Sequence, residues 1–123
     1  MLIDLWLTPK DNNLTFDYPP VTFHNRQKVS VSKLFIKWRR NVSNPAIILS
    51  STLTDKSSLN PNQQLLFVYQ KGKSQVLDFT PTHKLYYKIQ CLELQSSQFK
   101  ITNIDNSELE KIDKIYIQLD IIE

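Results

Sequence analysis

The chain has 123 residues, with 15 Lys or Arg against 12 Asp or Glu, for a net charge of +3. That length fits one domain (residues 1–123) able to bury a core without disulfides or metals. A single cysteine excludes an intramolecular disulfide framework, and a single glycine excludes the glycine-rich phosphate loop and the dinucleotide fingerprint.

Leu2 to Leu7 predicts the first strand. Ile3, Leu5 and Leu7 share one face; Asp4 and Thr8 take the other, with Trp6 between them. The opening Met1 to Leu7 is apolar but does not read as a signal peptide: it lacks a basic leading segment, it is short, and Asp4 interrupts it. No stretch approaches the length of a membrane span. Without a secretory leader, the sequons Asn13-Leu14-Thr15 and Asn41-Val42-Ser43 are expected to be chance matches. Pro9 to Asn13 is a turn by composition, and Leu14 to Tyr18 is a second short strand. Pro19-Pro20 then breaks the ladder, because neither residue has an amide proton to donate. Val21 to Phe23 resumes as an edge.

Lys28 to Trp38 is the longest strand of the first half. Val29 and Val31 share one parity; Leu34, Ile36 and Trp38 share the other. A β-bulge near Ser32-Lys33 returns both sets to one face. A strand buried on both sides is the alternative, but Lys33 and Lys37 need solvent, which favours the bulge. Arg39 to Pro45 is a basic loop, and Ala46 to Leu53 a strand. Thr54 to Gln63 is a long polar loop, and Leu65 to Tyr69 a compact apolar strand. Gln70 to Lys73 is a hairpin turn around Gly72, with Gln75 to Phe79 returning. Thr80-Pro81-Thr82 turns again. Lys84 to Leu94 alternates for most of its length, Leu85, Tyr87, Ile89 and Cys91 against Tyr86, Lys88 and Gln90. A turn at Gln95 to Ser97, a short strand at Phe99 to Ile101 and a turn at Asn103 to Glu108 follow. Leu109 to Ile112 has the spacing of a short helical turn. Lys114 to Ile122 closes the chain as a half-buried strand, with Ile115, Ile117, Leu119 and Ile121 on one face. A C-terminal strand this apolar needs a sheet to tie it down.

Eight or nine strands with turns every 8–12 residues predict an all-β fold. We read it as a single jelly-roll β-sandwich of about eight antiparallel strands. An immunoglobulin-like sandwich is the competitor, though its usual Cys and Trp anchors are missing. In a jelly roll the closing strand should lie beside Leu2 to Leu7 or Leu14 to Tyr18.

Chemistry-bearing residues are sparse. His24 and His83 have no Cys, Asp or His at metal-ligand spacing, so no metal or cofactor site is expected. Cys91 falls on a core-facing parity and reads as a small hydrophobe in a reducing compartment. The acidic run Asp105, Glu108, Glu110 and Asp113 lacks the spacing and glycine of a calcium loop and reads as a solvated turn. Lys37, Arg39 and Arg40 flank Trp38, a grouping that can hold phosphates by charge and bases by stacking. The competing reading is a solvated strand face over a buried tryptophan. The charge is also uneven. Residues 1–100 carry 13 basic and 6 acidic residues (+7); residues 101–123 carry 2 and 6 (−4), which together give +3. That asymmetry makes the acidic segment a candidate subunit contact. No catalytic constellation is present, and an enzyme is not expected.

The run Phe16-Asp17-Tyr18-Pro19-Pro20-Val21 followed by Lys28-Val29-Ser30-Val31-Ser32-Lys33-Leu34 resembles the opening of single jelly-roll minor capsid proteins. These are the penton or vertex proteins of Polinton and Maverick elements and related double-stranded DNA viruses. Phe99 to Asn106 followed by Ile115 to Leu119 resembles the closing strands of capsid jelly rolls in that group. The resemblance covers the chain as an order of strands and turns, and the length leaves no room for a second jelly roll or a large apical insertion. It implies a structural virion protein, assembled inside the cell and not secreted. Five copies would ring a capsid vertex beside a major capsid protein, with no catalytic residues. A non-enzymatic β-sandwich that binds carbohydrate or nucleic acid is the alternative. Trp6, Trp38, Tyr18, Tyr69, Tyr86 and Tyr87 are its candidate stacking platforms.

Overall fold

A computed structural model describes residues 1–10, 13–54 and 64–123. Among the described residues nine strands run in chain order: β1 (Leu2–Lys10), β2 (Asn13–Thr15), β3 (Lys28–Ser43), β4 (Ala46–Ser51), β5 (Gln64–Tyr69), β6 (Lys73–Phe79), β7 (Tyr87–Lys88), β8 (Phe99–Asn103) and β9 (Ile112–Ile122). A 3₁₀ turn spans Leu94–Ser96. All pairings are antiparallel. The larger sheet has the order β2-β1-β9-β3-β6, with the short β7 also on β3; the smaller has the order β5-β4-β8. The two form a β-sandwich, and their inner faces supply one core.

The alternation of the sequence explains the larger sheet. Three apolar rows cross its central strands on the inner face: Ile3–Leu119–Val31, Leu5–Ile117–Leu34 and Leu7–Ile115–Ile36. All nine side chains are buried. β9 is therefore not an edge. It lies between β1 and β3, as a closing strand stitched beside Leu2 to Leu7 should. The Met1 amine donates to the Ile121 carbonyl at 2.9 Å, and the Ile121 amide donates back to Met1 at 2.8 Å.

The expected bulge is present. Val31 and Leu34 are three residues apart, yet they face Leu119 and Ile117, which are two apart. The extra residue on β3 flips the phase and keeps both apolar sets inward. Ser32 sits in this bulge, buried, with Oγ lacking a partner among the described residues.

Four expectations are corrected. Arg39 to Pro45 is not a loop: β3 runs on to Ser43, and Val42 and Ser43 pair with Ser74 and Lys73. The turn comes at Asn44, which adopts φ 46°. Gln70 to Lys73 does not close a hairpin, because β5 and β6 belong to different sheets. Gly72 (φ 103°) instead docks on the Asn44 turn: its amide donates to Asn44 Oδ1 at 2.7 Å, and the Asn44 amide donates to the Gly72 carbonyl at 2.7 Å. A side chain at that φ is strained even though the space is open. Lys84 to Leu94 is not one strand, and only Tyr87 and Lys88 pair as β7. This segment crosses between the sheets. Its Ile89 amide donates to Gln27, and its Gln90 and Cys91 amides both donate to Leu53. Cys91 is accordingly half-buried against the core rather than inside a strand. Leu109 to Ile112 forms no helical turn: Lys111 adopts φ 57° and β9 starts at Ile112.

The edge at Val21 to Phe23 reduces to a bridge between Thr22 and Glu93, with Phe23 donating to Leu92 at 2.7 Å. Beyond Thr54, the polar loop expected up to Gln63 lies outside the described residues, as do the two central residues of the Pro9 to Asn13 turn.

Candidate functional site

The basic stretch ends up split by the strand alternation. Lys37 points to solvent, Trp38 is 3% exposed within the core, and Arg39 and Arg40 are exposed. A tryptophan that deep cannot stack on a base, so the aromatic half of a nucleic-acid patch is missing there. Lys37 Nζ lies 3.8 Å from the Asp113 carboxylate. Arg40 lines an open cleft of about 560 Å³ together with Asn41, Asn103, Glu108 and Glu110. Basic and acidic candidates therefore meet within one chain.

Asp105 stands apart from them. It accepts from the Ser107 amide at 2.9 Å and from the Ser107 hydroxyl, and these bonds hold its carboxyl below the usual range. Further carboxylates of the C-terminal segment are also engaged. Asp120 accepts from Tyr86 Oη at 2.7 Å and Lys84 Nζ at 3.2 Å, and the Tyr86 bond is the main cause of its lowered pKa. Glu123 lies 2.6 Å from His24 Nε2. Two of these carboxylates, Asp113 and Asp120, lie beside lysines, so part of the charge asymmetry is folded back on itself. Among the described residues, no three His, Cys, Asp or Glu side chains group to hold a metal ion.

The outer face of the larger sheet carries a second constellation. Trp6 on β1 is opposite Tyr116 on β9, and Tyr116 is opposite Phe35 on β3. Three aromatic rings therefore stand in one row across three adjacent strands. Trp6 and Tyr116 have centroids 5.0 Å apart at an interplanar angle of 37°. One row along, Asp4 faces Gln118. Asp4 Oδ1 accepts from both the Tyr116 hydroxyl and Gln118 Nε2, the latter at 2.9 Å. Lys33 approaches Asp78 at 4.0 Å on the β6 side.

No family model, curated protein or solved structure matches the chain.

Of the six aromatics singled out in the sequence, only Trp6 belongs to this row. Tyr18 and Tyr87 pack half-buried against the core, Tyr69 is exposed on β5, and Tyr86 is tied to Asp120. Tyr116 and Phe35 were missed as platforms. Their signal lay in phase: Phe35 shares the outward parity of Lys33 and Lys37, and Tyr116 that of Gln118 and Asp120. No helix among the described residues is long and apolar enough to cross a membrane.

The Asp4–Tyr116 contact has a measurable signature. Partial burial, then the Asp4 hydrogen bond and charge, push the Tyr116 hydroxyl up to about 12 from an ordinary 10.0. The folded state thus favours the protonated phenol. That contribution to stability is complete below pH 10 and is lost as pH rises through about 12. Asp4 behaves oppositely. The Tyr116 and Gln118 bonds lower its pKa, so its contribution is present above 3.8 and fades as pH falls through the lowered value. In an ultraviolet titration of tyrosine ionisation, Asp4→Asn should move the Tyr116 step to lower pH while leaving the burial component. An unmoved step would mean that Asp4 does not hold the hydroxyl.

Proposed function

We propose that this chain is a non-enzymatic structural subunit, a jelly-roll minor capsid protein of the penton type that forms a ring of five at the vertices of a virion shell. Strand order carries this reading. Leaving out the two-residue β7 and numbering the other eight strands along the chain, the first pairs with the eighth, the third with the sixth and the fourth with the fifth. The second lies against the seventh, where Phe16, just after β2, meets Phe99 edge-on at 5.8 Å. That pairing supports the reading, because a jelly roll is one long antiparallel ribbon rolled into two sheets. One departure stands out: β2 hydrogen-bonds β1 rather than β8, so the smaller sheet keeps three strands.

Its partners are then copies of itself and a major capsid protein. A ring uses heterologous contacts, in which one patch meets a different patch on the next copy. Exposed Phe67, Tyr69 and Leu85 offer apolar surface for such contacts. The acidic segment contributes less than its sequence charge suggests, because Asp113 is already paired with Lys37. Sedimentation equilibrium at high protein concentration should give a closed oligomer, five subunits if the ring is a penton. A strictly monomeric protein, alone and with its co-purifying shell protein, would remove the proposal.

A further inference from the structure

We infer that the outer face of the larger sheet is a binding platform for a neutral chain of pyranose sugars, stacked on Trp6, Tyr116 and Phe35 and hydrogen-bonded by Asp4 and Gln118. This does not rest on ring assembly, since a monomer presents the same face.

The spacing fits a sugar chain. Neighbouring strands lie about 4.8 Å apart, so three rings on three strands form a strip about 10 Å long. The Trp6–Tyr116 separation of 5.0 Å agrees. A pyranose ring presents apolar C–H faces that stack on aromatic rings and hydroxyls that point sideways. The strip offers both partners, with rings along its axis and hydrogen-bonding groups one row away.

Exposure points the same way. Trp6 is 59% exposed, although Leu5 and Leu7 beside it are buried. Tyr116 and Phe35 are half-covered, so the row forms a ridge with one prominent end. The hydroxyl of Tyr116 is tied to Asp4, which fixes the ring before any ligand arrives and lowers the ordering cost of binding. Asp4 itself is exposed, leaving its carboxylate an acceptor for sugar hydroxyls.

Charge selects among ligands. The cations around the row are balanced: Lys33 lies near Asp78 and Lys37 near Asp113, while Lys114, opposite Lys37 on β9, is offset by Asp4 on the other side of the row. The acceptor nearest the row is a carboxylate. A polyanion such as nucleic acid gains little from that balance, whereas a neutral glycan needs no field. A second copy of the chain is also a poor fit, because the centre of a protein interface is depleted in charged residues, and here charges crowd both sides of a strip one residue wide.

Tryptophan fluorescence reads the site directly. The chain has two tryptophans and Trp38 is buried, so a ligand-induced change reports Trp6. Titration with neutral hexasaccharides of β-1,4-linked glucose, mannose, xylose and N-acetylglucosamine should give a saturable shift with at least one of them. By calorimetry, Trp6→Ala should weaken that binding at least about tenfold while the protein still melts cooperatively. Ile104→Ala, an exposed apolar residue elsewhere, should bind as the parent does. Flat titrations across the panel would overturn the inference. So would Trp6→Ala binding unchanged, binding confined to an anionic control such as a heparin hexasaccharide, or loss of self-association in Trp6→Ala, which would make the row a contact between copies.

Discussion

Removing residues 114–123 is expected to abolish folding, not to trim a tail. The deletion takes out Ile115, Ile117, Leu119 and Ile121, all buried. At about 1.5–3 kcal/mol for each fully buried aliphatic side chain, their loss amounts to about 6–12 kcal/mol. A domain of this size has only about 5–15 kcal/mol of net stability. The cut also splits the larger sheet. β9 is the strand that joins β1 and β2 to β3 and β6, so its removal leaves two unpaired edges facing an empty slot. The truncated chain should express insolubly or show no cooperative thermal transition by circular dichroism. A soluble truncation with a sharp melt would show that β9 is not what closes the fold.

Trp38→Ala is the single substitution expected to do most damage in the basic stretch. Trp38 is almost completely buried at the end of the core, across the sheet from Ile112. Truncating a buried tryptophan costs about 3–5 kcal/mol, part lost transfer energy and part cavity. Arg39→Ala and Arg40→Ala, both exposed, should each stay within about 0.5 kcal/mol of the parent. Urea denaturation separates the cases. A Trp38→Ala midpoint shift no larger than that of Arg40→Ala would mean that the ring is not core and would return it to the surface patch.

Most of the sheet interior was legible because period-two alternation is a strong signal wherever one face is buried. The three inner rows of β1, β9 and β3 are that signal made visible, and the bulge at Ser32 followed from a phase switch that an extra residue reconciles while leaving Lys33 and Lys37 in solvent. What failed was composition. Arg39-Arg40-Asn41-Val42-Ser43 reads as a loop because a solvated strand end and a loop use the same polar residues. Lys84 to Leu94 failed in the other direction. Its alternation is real, but its amides go to Gln27 on one side and Leu53 on the other, and one strand cannot ladder onto both sheets at once. Leu85 is 68% exposed as a result.

The outer-face row was half legible. Each of its aromatics sits in the polar phase of its own strand, which marks it as solvent-facing. Their assembly into one row depends on register between β1, β9 and β3, and register is set by strand pairing that a single sequence does not state. The same holds for the charges. Lys37 and Asp113 are 76 positions apart in sequence and 3.8 Å apart in space. Counting charge by segment therefore misses local pairs of this kind.

Native-state hydrogen exchange tests most directly whether the chain is closed around β9. Amides of Ile115, Ile117, Leu119 and Ile121 should be among the slowest in the molecule, exchanging only through global unfolding and matching those of Leu34 and Ile36 on β3. Fast exchange along β9, with β1 and β3 still protected, would contradict the account and make this strand a frayed edge.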